Sequence, residues 1–168
     1  MRTSFYSILL IILLGTLGAI ASTFAQPLTP LTGMWQGRWT LDPSAFATLQ
    51  KYDPVVFQAG RLSLDLTQRQ SENPLGLRQE RDRPSITGSA TFEGNLCFRI
   101  FQVSGITLDR PDEFFLNLSS VDGVQMTATG KVQGDTLSGT YDPWSGVGFP
   151  CNTQRGTFYV SRASQAPR

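Results

Sequence analysis

The two thiols are the side chains with the most reactive chemistry available. Cys97 and Cys151 are the only cysteines in the chain, and neither falls in a C-x-x-C pair or in metal-ligand spacing. Two thiols in one small exported domain pair in an oxidising compartment. Such a bridge closes a loop of roughly 55 residues and adds about 4 kcal/mol in the chain-entropy picture. The alternative is two unrelated free thiols. A paired cysteine offers no thiolate nucleophile. The chain also has no histidine. That removes Ser-His-Asp and Cys-His catalysis, His-ligated zinc and imidazole acid–base work. No glycine-rich phosphate loop precedes a helix. Paired carboxylates are the hydrolytic chemistry left. Yet Asp65 and Glu93 fall on polar strand faces, and Asp42, Asp109, Asp122 and Asp142 fall at turns, where Asp bonds its own backbone. The expectation is a non-enzymatic protein with no catalytic residue, no metal and no cofactor.

Recognition chemistry is the remaining prospect, and it points to aromatic residues. The stretch from Asp142 to Cys151 holds Gly146, Gly148, Pro143 and Pro150 and carries Trp144 and Phe149. A loop of that composition does not obviously bury large rings, so Trp144 and Phe149 are the candidate contacts for a small apolar ligand. Trp35 and Trp39 lie on an alternating apolar face and read as core.

The elements that must position these residues alternate with period two, and helical periodicity is nearly absent. Residues 34–41 set Trp35, Gly37, Trp39 and Leu41 on one face. Residues 61–69 do the same with Leu62, Leu64 and Leu66. Residues 86–93 group Ile86, Gly88, Ala90 and Phe92, and residues 124–132 group Val124, Met126, Ala128, Gly130 and Val132. Each is a half-buried strand with one wet face. Shorter candidates at 95–103, 114–120, 136–142 and 156–162 bring the count to about eight. Phe98 and Ile100 are assigned to the interior with Leu62, Leu64, Leu66 and Phe92.

Tight connections at Glu93-Gly94-Asn95, Asp122-Gly123 and Gln133-Gly134-Asp135 require antiparallel neighbours. Closing such a meander removes its exposed edges. Gly88 and Gly130 suit the coiling of a small barrel. The expected fold is therefore an all-β, antiparallel up-and-down barrel, with a β-sandwich as the alternative. An eight-stranded barrel is just wide enough to be filled by its own side chains. Ser44 is a candidate cap for a short helix between Asp42 and Asp53, which would cover one end. The polar segment from Ser71 to Pro84, with Arg78, Glu80, Arg81, Asp82 and Arg83, reads as a solvated loop.

The N-terminus reads as a signal peptide over residues 1–25. Arg2 precedes an apolar run from Ile8 to Ile20, followed by small-residue sites at Ala19-Ile20-Ala21 and Thr23-Phe24-Ala25. The rival is an uncleaved anchor, because Phe5 to Ala25 is long enough to span a bilayer. Residues 26–32 form an extended leader, 33–162 the barrel and 163–168 a frayed tail. The chain carries 14 basic and 13 acidic residues. Losing Arg2 leaves 13 of each, so nothing electrostatic favours nucleic acid or an anionic membrane. Membrane contact is expected only if the signal stays uncleaved.

Leu31-Thr32-Gly33-Met34-Trp35 resembles the Gly-x-Trp opening of lipocalins and the wider calycin group. The resemblance implies that Trp35 packs across the closed end of a barrel under a basic residue of the last strand, here Arg155 or Arg162, as a cation–π contact. The run Gly134-Asp135-Thr136-Leu137-Ser138-Gly139-Thr140-Tyr141 looks like a late strand of small bacterial lipocalin-like secreted domains. The match covers the first and last strands, and the other usual lipocalin motifs are missing from the middle. The aromatic content, and not this resemblance, is what makes a small apolar ligand the expected partner. The alternative is an envelope protein-interaction module. Secreted metalloprotease inhibitors also use a small disulfide-bridged barrel, and Gln26 to Pro30 would serve as their projecting arm.

Overall fold

The computed structural model describes residues 30–70, 83–95, 97, 99–110, 112–146 and 148–163. The signal segment, most of the Ser71–Pro84 loop and nearly all of the tail lie outside these residues. Eight strands run β1 Gly33–Leu41, β2 Ala59–Arg69, β3 Ser85–Glu93, β4 Ile100–Thr107, β5 Glu113–Ser119, β6 Gln125–Gln133, β7 Thr136–Ser145 and β8 Gly156–Arg162. Each pairs antiparallel with the next, and β8 closes on β1 through pairs such as Trp35 with Arg162 and Leu41 with Gly156. The barrel is borne out over the sandwich, and so is the Cys97–Cys151 disulfide.

Alternation drives this closure. Leu62, Leu64 and Leu66 of β2, Ile86, Ala90 and Phe92 of β3 and Met126, Ala128 and Val132 of β6 all turn inward and are buried. They form one cluster with Trp35, Trp39, Phe101, Phe114, Tyr141 and Phe158. Rings meet edge-on, Phe92 with Phe101 at 5.8 Å and with Tyr141 at 5.6 Å. Edge-to-face contacts of this kind add to what area burial already contributes. At Gly130 a Cβ would collide with the Ser138 carbonyl of β7, so glycine permits this close approach of neighbouring strands.

Several expectations are corrected. The strand expected at 95–103 begins at Ile100 and runs to Thr107. Phe101 and Val103 face inward, and Ile100 is 62% exposed. Apolar residues occupy both parities here, and a one-residue choice of parity exchanges the two faces. Phe98 lies outside the described residues. The connection after Glu93 is correspondingly a six-residue loop, 94–99, and not a tight turn.

At Asp122-Gly123 only the glycine has positive φ, +82°. A type I′ turn needs both, and a type II′ turn needs it at the first. The chain instead makes a wider loop, in which the Gly123 amide donates to the Ser120 carbonyl. The helix α1, Pro43–Gln50, takes Asp42 as its N-cap residue and Pro43 in its first turn, which leaves Ser44 inside the helix. Finally, β7 extends past Asp142 to Ser145. Trp144 is therefore a strand residue, and Pro143 is buried opposite Met126, next to a register shift at Gln125/Met126.

Candidate functional site

An up-and-down barrel has two ends, and the chain builds them differently. At the terminal end lie the start of β1 and the end of β8. Arg162 stacks on Trp35 with its guanidinium carbon 4.1 Å from the ring centre. Its three nitrogens all donate: Nε to Asp135 Oδ1 at 3.0 Å, Nη1 to the Thr32 carbonyl at 2.7 Å and Nη2 to the Pro30 carbonyl at 2.6 Å. Trp35 Nε1 donates to the Leu31 carbonyl, and the Leu31 amide donates to Gln68 Oε1. Residues 30–32 are thereby tied down across this end. Arg155, the other arginine considered for Trp35, sits at the opposite end, 3.7 Å from Asp42 Oδ2. Ion pairs Arg83–Asp109, Arg110–Glu113 and Lys131–Glu113 surround the terminal end.

The capped end is assembled from the other four connections. Helix α1 lies over it with Ala45 and Leu49 buried. The β3–β4 loop and the β7–β8 connection are joined there by Cys97–Cys151, with Cα atoms 5.7 Å apart. The Cys97 amide donates to Asn95 Oδ1, and Gln154, almost fully buried, donates Nε2 to Cys97 Sγ at 3.2 Å. Trp39 Nε1 donates to the Glu93 carbonyl, so the second tryptophan anchors the rim of this end from within. Tyr141 is buried beneath it, with its hydroxyl 3.4 Å from the Thr40 carbonyl. Burial, reinforced by the Asp42 carboxylate, pushes the Tyr141 phenol far above its usual range.

Between these parts opens a cleft of about 520 Å³. Val55, Val56 and Phe57 form one wall, Phe92 and Asn95 the floor, and Arg99 and Ile100 the opposite wall. An Asx turn shapes the first wall, with the Val55 amide donating to Asp53 Oδ1 at 2.8 Å. The volume suits a small molecule, and a mostly apolar lining with a few polar groups is the usual make-up of such sites. Among the described residues no cluster of Asp, Glu, Cys or His is arranged to hold a metal ion.

Trp144 and Phe149 lie at the same end, 63% and 57% exposed. Neither lines the cleft. Phe149 packs edge-on against Tyr52 at 4.9 Å, and Trp144 stands at the end of β7. Sequence reasoning missed the cleft itself. The available signal was Val55-Val56-Phe57, an apolar triplet outside any strand alternation, directly after Asp53-Pro54.

No family model matches this chain, and no curated protein matches it. The crystal structure of secretory abundant heat soluble protein 4 from Ramazzottius varieornatus matches with a TM-score of 0.38 at 10% identity, over 80% of this chain and 95% of that one. That likeness is loose, and the barrel assignment rests on the strand pairing of this chain alone.

Proposed function

We propose that this is an exported, non-enzymatic, lipocalin-like barrel that takes up a small apolar ligand at its capped end. The observation carrying this reading is the cleft between Val55-Val56-Phe57 and Arg99-Ile100. Large apolar side chains left half-exposed around a concavity favour an apolar occupant, because covering them removes surface from water. The barrel axis is a poorer site, since Trp35, Trp39, Phe101, Phe114 and Tyr141 are already packed there. The disulfide fits an oxidising compartment and so supports export. The interaction-module alternative relied on residues 26–30 as a projecting arm. Pro30 is held by Arg162, and residues 26–29 lie outside the described ones.

The test is titration with an environment-sensitive naphthalene dye. The parent protein brightens the dye, and Ile100→Asn and Phe57→Ser each weaken binding by roughly tenfold, about the effect of losing one apolar side-chain contact. Equal affinity in parent and both variants removes the cleft from consideration.

A further inference from the structure

Nine large apolar residues are exposed among the described residues, and seven belong to the capped end: Tyr52, Val55, Phe57, Ile100, Val121, Trp144 and Phe149. Three of the four connections at that end contribute at least one, and Ile100 and Trp144 stand at the ends of β4 and β7. They form a rim, with Gly146 lying directly against the β5–β6 loop that carries Val121, which is 97% exposed, and with Phe149 on Tyr52. A typical monomer shows a largest apolar patch of about 300–600 Å². Four rings, each more than half exposed and each about 150–250 Å² in area, leave a comparable apolar area in water, divided among separate points.

We infer that this rim is a docking surface for a zwitterionic lipid bilayer. Two observations favour lipid over a protein partner or a second copy. The apolar residues arrive as separate points from three loops and two strand ends, interleaved with polar ones. A fluid hydrocarbon surface accepts separate points, whereas a stable protein interface needs about 800 Å² per side of continuous, complementary packing. The mixture of Trp, Tyr and Phe is also that of residues which settle at the headgroup level.

Charge selects the kind of lipid. Around the rim Arg155 pairs with Asp42 and Arg61 with Glu93. Among the described residues Lys51, Arg99, Asp53, Asp122 and Asp142 make no ion pair, so unpaired charges of both signs remain. That mixture of signs, with no excess of positive charge, complements the phosphate and ammonium of a zwitterionic headgroup and gives no preference for an anionic surface. Membrane contact through this rim is independent of the N-terminal segment, because residue 30 lies at the opposite end of the barrel.

The experiment is quenching of tryptophan emission by phosphatidylcholine vesicles brominated on the acyl chain. Trp35 and Trp39 are buried, so Trp144 is the reporter. Quenching is expected in the full chain, unchanged between about 0.1 M and about 1 M salt, and absent in Trp144→Phe. The pair Val121→Ser with Phe149→Ser should raise the lipid needed for half-maximal quenching roughly tenfold or more, while circular dichroism stays that of the parent. Absence of quenching overturns the inference, even in a protein that brightens the naphthalene dye. So does quenching that requires anionic lipid or disappears with salt. Sedimentation showing that Trp144 is buried by a second copy of the chain, with no quenching, overturns it as well.

Discussion

The two ends of this barrel close by opposite means. At the terminal end one arginine does most of the closing, stacking on Trp35 and donating to three oxygens from the leader and the β6–β7 turn. Its neighbours are ion-paired charges on the surface. The capped end is closed by a short helix and a disulfide, and it leaves rings and aliphatic side chains in water. Polar groups that satisfy one another have little left to offer a partner. Exposed apolar groups keep their full gain for whatever covers them. The contrast therefore assigns recognition to the capped end, while both ends contribute stability.

The largest expected effect strikes the capped end. Replacing both cysteines by serine should cost about 4 kcal/mol in denaturant unfolding. Hydrogen exchange should rise first in residues 94–99 and 151–154, with the β1–β8 pairing near Trp35 and Arg162 still protected. Uniform loss of protection would erase the distinction between the ends. Next, Leu49→Ala should cost about 3 kcal/mol, since the side chain is fully buried beneath α1. A cost below about 1 kcal/mol would mean that the helix is laid on the barrel and not packed into it.

At the terminal end, Arg162→Ala should cost about 2 kcal/mol through the lost ring contact and charge-assisted hydrogen bonds. Arg162→Lys should recover less than half of this, because an ammonium cannot reproduce the planar fork. Arg155→Ala, whose partner Asp42 is also exposed, should change stability by less than about 0.5 kcal/mol. Equal costs at the two arginines would contradict the assignment of the Trp35 partner.

The last effect is alkaline. The Tyr141 phenol is raised in the folded barrel, so the unfolded chain loses that proton first. The contribution is fully present below the ordinary value of 10.0 and is lost as pH rises above it, at about 1.4 kcal/mol per pH unit. Thermal melts from pH 9 upward (roughly) should show this decline in the parent and a shallower one in Tyr141→Phe.

Much of the frame was legible in the chain because period-two alternation survives wherever one parity is apolar and the other polar. Leu62, Leu64 and Leu66 are the plainest instance. Where both parities are apolar, as at Phe98 to Val103, the pattern cannot choose a face, and the sequence reading put Ile100 inside when it lies outside. Turn chemistry located the connection at Asp122-Gly123 without its type, because loop width there depends on how Ser120 and Val124 meet across the strands. The cleft was not legible. Its walls come from residues 53–57, 91–95 and 99–100, and only the β2–β3 and β3–β4 pairings bring those segments together.

The assignment of recognition to the capped end is tested most directly by mapping amide chemical shifts while the naphthalene dye is titrated in. The account predicts that the largest changes fall on residues 53–57, 92–95 and 99–100, with residues 30–35 and 160–162 unmoved. Shifts centred on Trp35 and Arg162, or spread evenly through the strands, would contradict it.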